Sequence, residues 1–461
     1  MQVRHYDPSK VHNFEILDRY FMVDILGSKF YQISPICYLL LKNEINIHEL
    51  CDKYPKHLIT EAQEELNQLY DSIAEQDFSA QEHPVMENEV PRIVSTLWLG
   101  ISHKCNLNCA YCFANEPRYV GEKQLMSKDT ARQAVDFLIS HSGDEEELGI
   151  IFFGGEPLLN LPVIKATIDY SQKRGKKKGK RFVFSMTTNG ILLTPEVFRY
   201  LIDKNVSVMV SLDGTKSIHD RYRPFPDGSG SWDIIWKNLN AIKDFNKYLT
   251  VRVTVTSTET DLLTIYQNLS EAGLHSFYFT EVCPNSGAVP VFNDDQISIL
   301  IRQYTELTDY LLGNCSELSD VRLNTLNVVI SQILRPVRRY FCCNSGIHSF
   351  YVTPTGDFIP CARLLSDGDR YHIGNLNGGI DYERLLPFYQ NNVLNKLPCQ
   401  QCWARFICGG QCFGDCFVAT GMLNKSDPGV CRLIKHKMKC AAALMGKIGG
   451  QAALIEKELA C

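Results

Sequence analysis

No uncharged apolar run in this sequence is long enough to cross a bilayer as a helix. Membrane-spanning functions are therefore not expected. The opening residues, MQVRHYDPSK, lack the apolar core of a secretory signal, so the cytoplasm is the expected location. There is no excess of basic charge either. Lysine and arginine total 47 against 52 acidic residues, a net charge of -5, which gives no reason to expect nucleic acid as a partner. The chain shows no internal repeat. Its 45% hydrophobic and 21% charged residues are ordinary for a folded, soluble protein.

What the chain has in quantity is cysteine, 18 in 461 residues. In a reducing compartment these are poor candidates for structural disulfides and good ones for metal or cluster ligation. Three lie together in HKCNLNCAYCF, as Cys105-x3-Cys109-x2-Cys112, and eleven follow residue 341. Cys37, Cys51, Cys283 and Cys315 stand apart and read as ordinary buried thiols.

The chain length suggests two or three domains. Residues 14–33 alternate apolar and polar around LGSK, which predicts a β-hairpin. Ser34 and Pro35 then mark a helix start, and residues 58–75 have helical period. Residues 77–92 are polar with two prolines and read as a linker. From about residue 95, six strand candidates alternate with amphipathic helices: TLWLGIS, LGIIFFG, RFVFSMTTN, VSVMVSLD, LTVRVTVT and HSFYFTEV. That pattern predicts an α/β fold, a parallel sheet or open barrel with its chemistry at the carboxyl ends of the strands. The cysteine triplet follows the first strand, at such an end. KRGKKKGKR (173–181) reads as a solvated loop. Beyond residue 320 a helix precedes a loop-rich, cysteine-rich tail that needs metal to hold it.

Thiolates bind zinc or iron–sulfur clusters. A structural zinc site takes four protein ligands and the triplet offers three. A [4Fe–4S] cluster held by three cysteines leaves one iron open to a small molecule carrying an amine and a carboxylate. The triplet, with Tyr111 before its last cysteine, resembles the signature of radical SAM enzymes. The resemblance implies a partial (β/α)6, TIM-like barrel and S-adenosylmethionine (SAM) bound on a cluster at Cys105, Cys109 and Cys112. It implies that Gly154, Gly155 and Glu156 of FFGGEP hold the SAM amino group, and that Thr188 and Asn189 of TTNG lie near the ribose. Ser211 of SLDG is then near the methionine moiety, and Arg252 is a candidate partner for its carboxylate. The implied chemistry is reductive cleavage of SAM to a 5′-deoxyadenosyl radical, which takes a hydrogen from the substrate.

The tail reads Cys343-x12-Gly356-x4-Cys361, then Cys399-x2-Cys402-x5-Cys408-x3-Cys412, then Cys431. This resembles the SPASM domain, which carries two auxiliary [4Fe–4S] clusters and makes three in all. By position, Cys399, Cys402, Cys408 and Cys431 hold the second auxiliary cluster, and Cys343, Cys361 and Cys412 the first. The fourth ligand of the first is left among Cys342, Cys416, Cys440 and a substrate thiolate.

SPASM enzymes mostly modify peptides or proteins. The N-terminal strands and helices resemble the winged-helix-like, α+β leader-recognition module of precursor-peptide maturases, which takes a leader peptide by strand addition. CWARFICGGQC is similar to the tail of maturases that build thioether crosslinks. The resemblance thus implies three units: a leader-binding domain at 1–90, the barrel at 91–320 and a SPASM domain at 321–461. It implies a precursor peptide as substrate and an external electron donor such as flavodoxin or ferredoxin. Thioether formation is the favoured expectation. Carbon–carbon crosslinking shares nearly every motif. An anaerobic sulfatase-type formylglycine maturase would carry an aspartate after the second auxiliary cysteine, where this chain has Ala362. An iron–sulfur electron-transfer subunit is the non-enzyme alternative.

Overall fold

The computed structural model describes residues 4–42, 47–75, 90–112, 124–256, 261–282 and 292–448. At the N-terminus, β1 (Val11–Ile16), β2 (Arg19–Asp24) and β3 (Lys29–Ile33) form an antiparallel meander in the order β1-β2-β3. The LGSK turn lies between β2 and β3, with Ser28 at φ 57. A second turn, at Leu17 and Asp18, makes three strands of the expected hairpin. Both residues have positive φ, a conformation that glycine or asparagine usually signals, so this turn was illegible in sequence. The helix Pro35–Leu41 starts as expected. Ser34 accepts a hydrogen bond from the Cys37 amide at 3.1 Å, a cap worth about 1 kcal/mol.

The small sheet is buried on both faces. Val11, Met22 and Tyr31 pack with Leu40, Ile59 and Leu66 of the module's own helices. Phe14, Phe21 and Phe30 belong to the main core of the protein. The His12 ring stacks on Trp403 at 4.7 Å between centroids, with Phe14 at 5.9 Å from the same indole.

The main sheet has eight strands in the order β11-β10-β4-β5-β6-β7-β8-β9. The six strand candidates are all present: β4 (Thr96–Ser102), β5 (Glu147–Gly154), β6 (Arg181–Thr188), β7 (Val206–Ser211), β8 (Leu249–Val255) and β9 (Phe277–Glu281). They pair in parallel, each with its successor, as an open (β/α)6 barrel requires. The sheet continues past the first barrel strand. β10 (Ser349–Val352) runs parallel to β4, and β11 (Phe358–Ile359) turns back against β10.

Three expectations are corrected. KRGKKKGKR is mostly helix: the helix Leu161–Lys178 runs through its lysines and ends on Gly179 in the left-handed region. Cations in a last turn are favoured by the helix dipole. The tail is less loop-rich than its sequence suggests, because it supplies β10 and β11 and ends in the 21-residue helix Pro428–Ile448. That helix packs on the helices Asp294–Asn314 and Asn324–Leu334. Of the isolated cysteines, Cys37 is buried, Cys315 is half-buried and Cys51 is exposed. Cys51 sits on a short helix, Ile47–Lys53, whose inward residue is Leu50. Cys283 and most of the expected linker lie outside the described residues. Among the described residues no helix is long and apolar enough to cross a membrane.

Candidate functional site

The carboxyl ends of the parallel strands surround a cavity of about 150 Å³. Cys105, Cys109 and Cys112 line it from the loop after β4. Gly154 and Gly155 line it from the end of β5, Thr188 and Asn189 from β6, Ser211 from β7 and Arg252 from β8. The structure thus brings together nine of the ten residues assigned to the SAM site.

The glycine pair is required by a close approach of two backbones. Gly154 has φ +135, and a Cβ there would collide with the Ser102 carbonyl. A Cβ on Gly155 would collide with the Lys104 carbonyl and lie 3.1 Å from Cys105 Cβ. The Gly155 amide donates to Ser102 at 2.7 Å and the Glu156 amide to Lys104 at 2.9 Å. β5 therefore clamps the base of the cysteine loop.

Glu156, the tenth residue, stands behind the cavity wall. Its carboxylate accepts from the Leu158 amide (3.0 Å), the Thr188 hydroxyl (2.7 Å) and the Asn189 amide (2.7 Å). Burial pushes its carboxyl upward and those three donors oppose the shift. Its visible task is to fix the ends of β5 and β6 to each other. Asn189 in turn reaches the loop, donating to Asn106 at 2.7 Å and approaching Cys105 Sγ at 3.8 Å.

Arg252 is half-buried, and its buried Nε has no hydrogen-bond partner among the described residues. Burial lowers its pKa, and the nearby cations Arg363 and Arg223 lower it further. An unpaired guanidinium on a cavity wall is suited to an incoming carboxylate.

Sequence reasoning missed a buried network on the other side of the loop. Asp213 accepts from Arg223 Nε at 2.8 Å, from the Thr254 amide at 2.7 Å and from the Tyr111 hydroxyl. Arg223 lies under the Tyr111 ring and 4.0 Å from Cys109 Sγ. The signal for Asp213 was present in SLDG. Arg223 carried none, because an arginine in HDRYRP reads as solvated. Glu281, at the end of β9, and Arg363 complete the wall. Tyr304 and Lys437 hold the Glu281 carboxylate at 2.9 and 2.7 Å.

The cysteines of the tail form two further groups. Cys399, Cys402, Cys408 and Cys431 line a single cavity of about 420 Å³. Cys342 hydrogen-bonds both Cys343, at 3.8 Å between sulfurs, and Cys412, with Cys361 in the same electrostatic neighbourhood. Cys440 is remote from both groups, its thiol directed at the Tyr304 carbonyl. Burial pushes Cys105, Cys109 and Cys431 to about 11 and Cys361 and Cys408 to about 12, whereas the Cys342 hydrogen bond draws Cys343 down to about 6. Among the described residues no three His, Cys, Asp or Glu side chains are gathered for a single metal ion. The triplet and the Cys399 set line cavities instead. That donor set, with the clamped loop and the unpaired Arg252, fits a thiolate-held cluster and a ligand bearing a carboxylate.

A parallel sheet that carries a three-thiol loop and the unpartnered Arg252 Nε at the rim of one cavity is suited to a thiolate-held cluster and a carboxylate-bearing ligand. Residues 99–279 match the family model of the radical SAM superfamily, so this part of the chain is a radical SAM domain, and SAM and a [4Fe–4S] cluster are the cofactors of that family. The chain is 27% identical over 365 residues to the radical SAM cyclopropyl synthase TigE of Paramaledivibacter caminithermalis, covering 74% of this chain and 72% of that one. It is 23% identical to the serine-type anaerobic sulfatase-maturating enzyme of Klebsiella aerogenes, over 68% of this chain and 78% of that one. The Streptococcus suis SuiB structure bound to S-adenosylmethionine superposes with a TM-score of 0.51 at 13% identity, over 93% of this chain and all of that one.

Proposed function

We propose that this enzyme modifies a ribosomally made precursor peptide by abstracting hydrogen from a carbon and forming a new bond there, with a thioether to a peptide cysteine as the specific product. The observation that carries the reading is the shared wall between the SAM cavity and the tail. Arg363, two residues beyond Cys361, lines the same cavity as Cys105, Cys109 and Cys112, so substrate chemistry occurs beside the auxiliary thiols. A relative named for maturating a sulfatase supports a polypeptide as the substrate class. The division into a leader-binding unit (1–90), a barrel (91–320) and a tail with two auxiliary clusters (321–461) belongs to the same reading, as does an external flavodoxin- or ferredoxin-like donor.

When bound, the cluster and SAM supply the 5′-deoxyadenosyl radical. The chain's own residues bind and orient. Arg252 receives the SAM carboxylate, Ser211 and Asn189 border the ligand, and Glu156 keeps the two strand ends in register. In the tail, Cys399, Cys402, Cys408 and Cys431 hold one auxiliary cluster. Cys342, Cys343, Cys361 and Cys412 hold the other.

That last set favours a second reading. With Cys342 as fourth ligand, the first auxiliary cluster offers no open iron to a substrate thiolate. Carbon–carbon bond formation needs no such position, and a relative is named as a cyclopropyl synthase. The experiment that separates them is anaerobic coexpression with a short cysteine-rich peptide encoded near the gene, followed by accurate mass before and after thiol alkylation. Loss of two hydrogens per crosslink with fewer alkylatable thiols, both unchanged by reductant, supports the thioether. The same loss with every thiol still alkylatable supports the carbon–carbon bond, and an unmodified peptide overturns both for that substrate.

A further inference from the structure

Lys396 is buried to 2% exposure behind Gly410 and Gln411, two residues in the wall of the cavity that Cys399, Cys402, Cys408 and Cys431 line. Its ammonium meets only neutral groups among the described residues. Nζ donates to the Gln411 carbonyl at 3.2 Å and approaches Cys416 Sγ at 3.5 Å. No carboxylate forms an ion pair with it there. A buried ammonium without a counter-charge is a costly feature, retained where an anion belongs beside it.

The surroundings identify that anion. The Cys399 amide donates to the Lys396 carbonyl at 2.8 Å. A Cβ built on Gly410 would lie 3.9 Å from both Cys399 Sγ and Lys396 Cδ, so that thiol and the lysine stem flank the same glycine. Cys416, which the ammonium touches, follows Cys412 by one helical turn, with its amide bonded to the Cys412 carbonyl at 2.9 Å. Its thiol is also an electrostatic neighbour of Cys431. Cys416 thus stands between the two groups of tail thiols, and the Lys396 ammonium is an electrostatic neighbour of Cys399 and of Cys416.

We infer that Lys396 is a positioning residue for charge: it raises the midpoint potential of the cluster held by Cys399, Cys402, Cys408 and Cys431 and makes that cluster the preferred resting place for an electron. This rests on the reading that the tail holds two auxiliary clusters. A [4Fe–4S] centre with four thiolates is a dianion when oxidised and a trianion when reduced. A fixed cation beside it stabilises the trianion more. One electron enters and no bond or proton moves. In turnover its source is the carbon-centred substrate radical as the new bond closes.

The test is an EPR-monitored redox titration with dithionite on the reconstituted full-length protein, with iron counted in every sample. The signal in question is assigned as the one missing from Cys408→Ala. Lys396→Gln removes the cation, and Cys416→Asp neutralises it in place. Both are expected to move that midpoint to more negative potential at wild-type iron content, while Lys396→Arg stays near wild type. An unmoved midpoint in iron-replete Lys396→Gln overturns the inference. If Lys396→Gln fails to fold or load, Cys416→Asp decides by the same criterion. Wild-type protein that holds iron for one cluster only defeats the auxiliary-cluster reading itself, which is a different outcome from three clusters with unmoved midpoints.

Discussion

At the scale of single residues, the site is defined by which polar groups are satisfied. Glu156 already accepts from three donors that tie β5 to β6, whereas Arg252 has a buried Nε with no partner among the described residues. Replacing Arg252 by Met should weaken SAM binding roughly ten- to hundred-fold, the range for a lost hydrogen bond to a charged group. Equilibrium binding to the cluster-loaded protein measures this, and unchanged affinity would remove Arg252 from the SAM site. The triplet cysteines, the glycine pair, Asn189 and Ser211 were all legible in sequence, since each sits in a short motif at a strand end. Arg223 was not. Its partners Asp213 and Thr254 are 10 and 31 positions away, a pairing that only the folded chain creates.

At the scale of elements, the working unit is a strand end pressed on a loop. β5 approaches the cysteine loop so closely that Gly155 has no room for a side chain. On the proposed cluster assignment, Gly155→Ala should push the loop away and cost the cluster of the triplet, about four iron atoms per chain, while iron held by the tail thiols stays bound. Full iron content with unchanged SAM cleavage would show that the clamp is dispensable. All six barrel strands were legible because each is a short β-branched and aromatic run, with every second residue buried along most of them, set between amphipathic helices. The turn at Leu17 and Asp18 and the helical lysines at 173–178 were misread for opposite reasons. One lacked the usual turn residues, and the other looked too charged and too rich in glycine to be helix.

At the scale of the whole molecule, the three proposed units are not independent bodies. The N-terminal sheet contributes Phe14, Phe21 and Phe30 to the main core and rests on Trp403, next to Cys402, while β10 joins the tail to β4. The thiols give this assembly a pH dependence. Burial raises Cys105, Cys109 and Cys431 from 9.0 to about 11 and Cys361 and Cys408 to about 12. A raised thiol favours the folded state fully below 9.0, and that contribution is lost as pH rises through the folded value, at most about 1.4 kcal/mol per unit for each thiol. Iron-free protein under reductant should therefore show a falling Tm from about pH 9 upward, and cluster-loaded protein, whose thiolates are already ionised, a flatter one. A flat profile in the iron-free protein would contradict the raised values. The sequence by itself determined the barrel, the cluster loop and the two sets of tail cysteines, because each is encoded by local spacing and periodicity. It took the folded chain to show that Cys342 lies with Cys343, Cys361 and Cys412, that Arg252 Nε has no partner among the described residues and that Lys396 is buried beside the Cys416 thiol. Those facts depend on contacts between residues far apart in the chain, which no local pattern records.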